Sequence, residues 1–161
     1  MEISQIQYNI NKLGLGVEFA NKKRNYAIFN PNVTNMLLQS REKALPFIKN
    51  ILNRENVPDN VVLNCLYILN QMIDSKVEGI NEFYPVLSRY NNSKSPDIQV
   101  MLSGIYRKTL PPDAFGPLVR MLVNNISQDK SQNFDSSEEI GGAILEYLKF
   151  YSSINSAFLN K

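Results

Sequence analysis

The chain contains few residues that could perform enzyme chemistry. Its 161 residues include no histidine, the side chain that most often serves as general base or metal ligand. The only cysteine, Cys65, lies in the apolar segment Leu63-Asn64-Cys65-Leu66-Tyr67, which predicts a buried and inert thiol. No spacing of cysteine and carboxylate residues fits a metal site. We therefore expect no catalytic residue, no cofactor, no metal and no enzyme activity.

Two pairs of carboxylates and one glycine segment can be compared with known kinds of site. Glu78 and Glu82 are four residues apart and could share a helix face, which a solvated helix surface explains. Glu138 and Glu139 are adjacent and therefore face different directions. Gly14-Leu15-Gly16 lacks the further glycine and the lysine of a phosphate-binding loop. None of these patterns predicts a catalytic or phosphate-binding site.

Lys22, Lys23 and Arg24 form the one cluster of basic residues. A solvated turn explains the cluster, and a contact with phosphate or with an acidic protein surface is the functional alternative. The whole chain carries 17 basic and 15 acidic residues, a net charge of +2. Because a nucleic-acid-binding protein usually shows a larger excess of positive charge, the composition argues against DNA or RNA as the partner.

The composition also bears on the cellular compartment. A single cysteine cannot form a disulfide within the chain, which favours a reducing environment. The first residues lack the basic and apolar segments of a signal peptide, and no apolar run approaches the 18 residues of a membrane span. We therefore expect a cytoplasmic protein with no membrane association.

Residues 1–35 differ from the rest of the chain and are interpreted as an N-terminal arm. Gly14 and Gly16 would break a long helix there. Apolar residues alternate with polar ones on either side of the basic cluster, which allows a short β-hairpin over residues 17–29. An irregular arm packed over the first helices fits the same pattern. Asn30-Pro31-Asn32 ends the segment as a turn.

Residues 36–161 show the three- and four-residue apolar spacing of helices. One helix is predicted from Asp59 to Ile73, and another begins at Ser95-Pro96-Asp97, with Ser95 as the N-cap. Ser136 and Glu139 have the spacing of a capping box before the last helix. The apolar face predicted for the last two helices comprises Phe115, Leu118, Val119, Leu122, Val123, Ile140, Ile144, Tyr147, Leu148, Tyr151, Ile154 and Phe158.

Three proline-containing segments repeat along the helical part. They are Ala44-Leu45-Pro46-Phe47-Ile48, Phe83-Tyr84-Pro85-Val86-Leu87 and Phe115-Gly116-Pro117-Leu118-Val119. Each is followed by a polar loop and an apolar second helix. Because proline within a helix removes a hydrogen bond and bends the helix, the repetition predicts a bent first helix in each unit of the repeat.

This pattern resembles the HEAT-like (armadillo-type) helical repeat family over residues 41–154. The resemblance implies an all-α fold, a short α-solenoid of about three antiparallel helix pairs following the N-terminal arm. The chain departs from the family in two respects, one of which is a long loop in its third repeat. The family often has a basic residue early in the second helix, where this sequence has Val62, Gln99 and Gly141. An unrelated helical bundle whose prolines coincide would predict the same helices.

HEAT-like proteins commonly present a helical surface to a protein partner, so the resemblance implies a protein-binding scaffold or adaptor. Uncovered end repeats could also associate with a second copy. The alternative is a nucleic-acid-contacting protein that uses its basic turn. Some HEAT-like proteins attach or detach tetrapyrrole chromophores, but no residue here marks such a site. The residues expected to contact a partner are Lys22, Lys23 and Arg24 in the arm, and Asn60, Asn64, Gln71, Gln99, Ser103 and Arg107 on the second helices.

Overall fold

The helices predicted from the apolar periodicity account for most of the fold. A computed structural model describes residues 4–6, 18–19, 27–28, 31–127 and 134–159. These residues are α-helical apart from short 3₁₀ turns, loops and one pair of two-residue strands, so the predicted all-α class is confirmed. The chain divides into two compact units, Met1–Leu87 and Ser88–Lys161, here called unit 1 and unit 2. The boundary predicted near residue 35 therefore falls within unit 1 and stays a prediction.

Unit 1 contains the strand pair. Strand β1 (Glu18–Phe19) pairs with β2 (Ala27–Ile28) in antiparallel orientation, with Glu18 opposite Ile28 and Phe19 opposite Ala27. The pair lies in the segment 17–29, for which the sequence allowed either a hairpin or an irregular arm.

Four α-helices follow in unit 1. They are α1 (Pro31–Ser40), α2 (Leu45–Asn53), α3 (Asp59–Asp74) and α4 (Tyr84–Leu87). Helices α1 and α2 both contact α3, and α2 also contacts α4. The bounds of α3 agree within one residue with the predicted helix Asp59 to Ile73. The largest fully buried side chains of these helices include Leu37, Ile48, Leu52, Leu66, Ile68, Leu69, Met72 and Leu87.

Unit 2 consists mainly of three longer helices, α5 (Pro96–Thr109), α6 (Phe115–Ser127) and α7 (Phe134–Leu159). Helix α7 contacts both α5 and α6. The buried Tyr147 hydroxyl donates a hydrogen bond of 2.8 Å to the carbonyl oxygen of Pro111, which ties α7 to the loop before α6. The core side chains are Ile98, Leu102, Ile105, Tyr106, Leu118, Met121, Ile140, Ala143 and Tyr147.

The three repeated prolines occupy similar positions in helices that follow directly on a 3₁₀ turn. Pro46 and Pro85 are the second residues of α2 and α4, and Pro117 is the third residue of α6. Residues in the first turn of a helix have no intrahelical partner for their N–H group, so proline costs little there. The sequence predicts a bend inside each of these helices. The structure has instead a change from 3₁₀ to α geometry at each helix start. The turns are Arg41–Ala44, Ile80–Phe83 and Pro112–Ala114.

The starts of α5 and α7 differ in detail from the predictions. Ser95 is the N-cap of α5 as expected, but its side chain makes no capping hydrogen bond. Helix α7 begins at Phe134, so the predicted capping box of Ser136 and Glu139 is wrong. Ser136 lies within the first turn, where its buried hydroxyl accepts a hydrogen bond of 3.1 Å from the Asn125 amide.

Candidate interaction surface

The one cysteine lies in the interior of unit 1. Cys65 is fully buried on α3, and this burial raises the pKa of its thiol to about 12. A thiol with that pKa is almost entirely protonated at neutral pH, and the thiolate is the reactive form. In this state Cys65 contributes packing to the core, as an apolar side chain of similar size would.

The predicted partner contacts fall into three groups in the structure. Lys22, Lys23 and Arg24 lie outside the described residues. Asn60, at the start of α3, and Arg107, near the end of α5, are exposed, whereas Gln71 is half-buried. The Arg107 guanidinium lies 3.8 Å from the Glu146 carboxylate on α7, a partly exposed ion pair.

The remaining three predicted contacts are buried, which corrects the expectation that they lie on the surface. Asn64 is 3% exposed, Gln99 7% and Ser103 0%. The sequence predicts them at exposed positions of the second helices. Gln99 and Ser103 are instead buried because hydrogen bonds within unit 2 satisfy them. Among the residues that the structure describes, the buried Asn64 Oδ1 atom has no hydrogen-bond partner.

A buried polar network joins the three helices of unit 2. The Asn125 amide on α6 donates to Gln99 Oε1 on α5 at 2.9 Å and to Ser136 Oγ on α7 at 3.1 Å. The Gln99 amide in turn donates to the carbonyl oxygen of Ser93 at 2.9 Å. The Ser103 hydroxyl donates to the Gln99 carbonyl oxygen at 2.7 Å. Because each bond has a specific direction, the network fixes how α5, α6 and α7 align.

Large apolar side chains are exposed on α6 and α7. Val119, Val123 and Ile126 follow one another at four and three residues on α6, and Leu145 and Leu148 lie three residues apart on α7. Each of the five exposes between 37% and 68% of its surface. We call these five residues the outer apolar face. Val119, Val123 and Leu148 belong to the apolar face predicted from the sequence, but the structure leaves them exposed.

The two rows of exposed residues lie on neighbouring helices that pack along the length of α6. Phe115, at the start of α6, contacts Tyr147, with ring centroids 5.8 Å apart. Asn125, near the end of α6, reaches Ser136 at the start of α7. Leu148 and Phe115 line a common groove, so Leu148 is on the side of α7 that borders α6. Val119 is one turn from Phe115, so the row on α6 begins near this groove.

An aromatic groove adjoins the outer apolar face at the start of α6. It has a volume of about 490 Å³ and is lined by Pro112, Phe115, Tyr147, Leu148, Tyr151 and Ser152. The Tyr147 and Tyr151 rings stack with centroids 6.2 Å apart. An apolar groove with aromatic walls can accept one or a few side chains of a binding partner.

Helix α7 presents a buried row and a more exposed row of residues on different sides. Ser136, Ile140, Ala143 and Tyr147 form the inner row and are buried. The outer seam consists of Glu138, Gly141, Leu145 and Leu148, spaced three, four and three residues apart. None of these four residues is buried. A helix that covers one core needs a single apolar stripe. Leu145 and Leu148 lie outside the buried stripe, so they are a sequence signal of another contact.

The described residues show neither a membrane span nor a metal cluster. No helix within the described ranges is long and apolar enough to cross a bilayer. The same residues contain no group of three or more cysteine, aspartate and glutamate side chains placed to hold a metal ion. Comparison of the chain with protein-family models, with curated proteins and with solved structures gives no match.

Proposed function

We propose that the chain is a protein-binding scaffold or adaptor whose partner docks on the outer apolar face of α6 and α7. The exposure of Val119, Val123, Ile126, Leu145 and Leu148 on two neighbouring helices is the observation that carries the proposal. Several large apolar side chains exposed on neighbouring helices are typical of a protein–protein interaction site. This face replaces the polar second-helix residues as the proposed contact surface.

The chemistry of the face favours a protein over a nucleic acid. Its five residues are aliphatic, and the groove beside it is aromatic, so a partner would gain from burying apolar side chains. The nearby charged groups have both signs, with Arg107, Glu146 and Lys149 joined in ion pairs. A phosphate backbone would require a surface that is predominantly positive.

The proposed scaffold keeps the HEAT-like arrangement as its architecture. Three features support it: the repeated 3₁₀-to-α helix starts, the second helices α3, α5 and α7, and the packing of α6 alongside α7. In such an arrangement each helix pair packs against neighbouring pairs, so exposed apolar residues on a pair are suited to a further contact.

Affinity capture with two adjacent substitutions tests the proposal. Val123 belongs to the outer apolar face, whereas its neighbour Asn124 is exposed on a different side of α6. We expect a stoichiometric protein partner to bind the parent chain and the Asn124→Asp variant. Val123→Asp should reduce its recovery at least about tenfold, because a buried charge opposes the contact. Nuclease treatment should have no effect.

Two results would contradict the proposal. The first is equal recovery with Val123→Asp and Asn124→Asp, which would place the contact elsewhere. The second is loss of all bound protein on nuclease treatment, which would favour the nucleic-acid alternative.

A further inference from the structure

Gly141 is the residue of the outer seam that the packing of the chain itself does not explain. It is the eighth residue of α7, where glycine is among the least favourable residues for a helix. An added Cβ atom would meet no atom of the described residues within 4 Å, and the backbone has no positive φ that requires glycine. The neighbouring Gly142 differs, since a Cβ atom there would lie 3.5 Å from the Arg107 guanidinium. Gly141 therefore leaves an open space on the surface between Glu138 and Leu145.

We infer that the outer apolar face binds a second copy of this chain, with the two α7 helices packed antiparallel across a two-fold axis. This inference rests on the proposed function, because it names the partner of the same face. In the contact, Leu145 of each copy fills the space over Gly141 of the other. A two-fold axis gives this contact twice, as in most symmetric dimers.

The charges on α7 are complementary in this same register. If Leu145 lies opposite Gly141 of the second copy, Lys149 lies opposite residue 137 and one residue's rise, about 1.5 Å, from Glu138. Glu138 of the first copy meets Lys149 of the second in the same way. The space over Gly141 and the two charge pairs thus select one antiparallel register. Two independent features of one helix therefore point to another copy of itself.

The present contacts of the charged side chains allow this pairing. Lys149 donates a hydrogen bond of 3.1 Å to Glu146 in the preceding turn, and its side chain is 70% exposed. An ion pair this exposed contributes little, so Lys149 can turn toward another carboxylate. Glu138 is itself exposed on the outer seam. The valines and Ile126 of α6 extend the same face and would be covered by the second copy.

Sedimentation equilibrium of the full chain tests the inference. We expect the mass to rise from one to two chains as concentration increases to about 500 µM, a range suited to small transient interfaces. Leu145→Asp should raise the dimer dissociation constant at least about 100-fold, and Gly141→Leu at least about tenfold, because each removes the fit of leucine into the open space. Asn124→Asp is the matched control and should leave the constant within about twofold of the parent.

Charge reversal tests the register. Glu138→Lys and Lys149→Glu should each weaken the dimer by about three- to tenfold, and the double variant should recover to within about twofold of the parent. Helix content by circular dichroism shows that each variant is folded. The inference is overturned if the parent is monomeric throughout, or if Leu145→Asp and Gly141→Leu leave the dimer intact. Failure of the double variant to recover would overturn the register.

The outcomes also separate this inference from the proposed function. A monomeric parent that captures a different protein through Val123 would reject the second copy and keep the scaffold. A dimer that depends on Leu145 but captures no other protein would support the second copy and reject the scaffold for other partners.

Discussion

At the scale of single residues, Gly79 and Gly141 differ in whether their surroundings require a glycine. Gly79 lies before the 3₁₀ turn Ile80–Phe83 with φ of +84°, in the left-handed region that glycine adopts readily. Gly141 lies in an ordinary helix with open space where a side chain would be. The backbone explains the first glycine, whereas neither the backbone nor the packing of the described residues explains the second.

The two alanine substitutions should therefore have effects of opposite sign. Gly79→Ala should lower the free energy of unfolding by about 1–2 kcal/mol, because a Cβ atom is strained at this φ. Gly141→Ala should raise it by up to about 1 kcal/mol through helix propensity, which shifts the Tm by about 2–4 °C. Thermal unfolding checks both changes, with Leu145→Asp as the common background so that dimer formation does not contribute. A lower Tm for Gly141→Ala would show that the space over Gly141 is not open.

At the scale of elements, the sequence predicted the bounds of the helices better than the contacts between them. Helix α3 was predicted within one residue, because its apolar residues recur at helical spacing between Pro58 and the loop after Asp74. The start of α7 was misplaced, because Ser136 has the residue type of a cap. Its actual hydrogen-bond donor, Asn125, comes from another helix. A bond between distant residues cannot be read from local sequence.

The candidate surface was predicted less well, for a related reason. Periodicity identifies the apolar arc of a helix but does not show how much of that arc a neighbour covers. On α6, Leu118 is buried while Val119 and Val123 are exposed, although all three belong to the predicted apolar face. The polar residue Gln99 was predicted on the surface, but it is buried, and the Asn125 amide donates a hydrogen bond to its side chain. In both cases the packing of the helices against one another determines whether the side chain is buried.

The Asn125 network gives a prediction at this scale. Asn125→Ala removes both donors that join α6 to Gln99 and Ser136, and leaves Gln99 Oε1 buried without this hydrogen bond. We expect a loss of about 1–3 kcal/mol in the free energy of unfolding, measured in urea. The adjacent Asn124→Ala is the control, since this exposed site should change stability by less than about 0.5 kcal/mol. Equal effects at both positions would mean that the network contributes no stability.

At the scale of the whole molecule, the distribution of apolar surface matters more than the charge. The net charge of +2 is small, and the one basic cluster contains three residues. The five residues of the outer apolar face are all in unit 2. Recognition should therefore depend mainly on apolar burial, with charge setting the orientation of the contact.

Salt dependence tests this view of the molecule. Binding to a protein through the outer apolar face should change less than about threefold between 50 and 200 mM salt, because few exposed charges take part. If Lys22, Lys23 and Arg24 bound duplex DNA instead, the release of three counterions would weaken binding by about 40-fold over the same range. Titration of the captured partner, or of a duplex oligonucleotide, at the two salt concentrations distinguishes these mechanisms.

Because Cys65 is buried, the reactivity of its thiol reports how often the native structure opens. Because its only thiol lies within α3, a thiol-specific reagent can modify the native protein only after unit 1 opens locally or unfolds. The modification rate therefore measures the stability of unit 1 without any engineered probe. Comparing the parent with Asn125→Ala, which alters unit 2, shows whether the units open together. A faster rate in the variant means one cooperative transition, and an unchanged rate means that unit 1 opens independently.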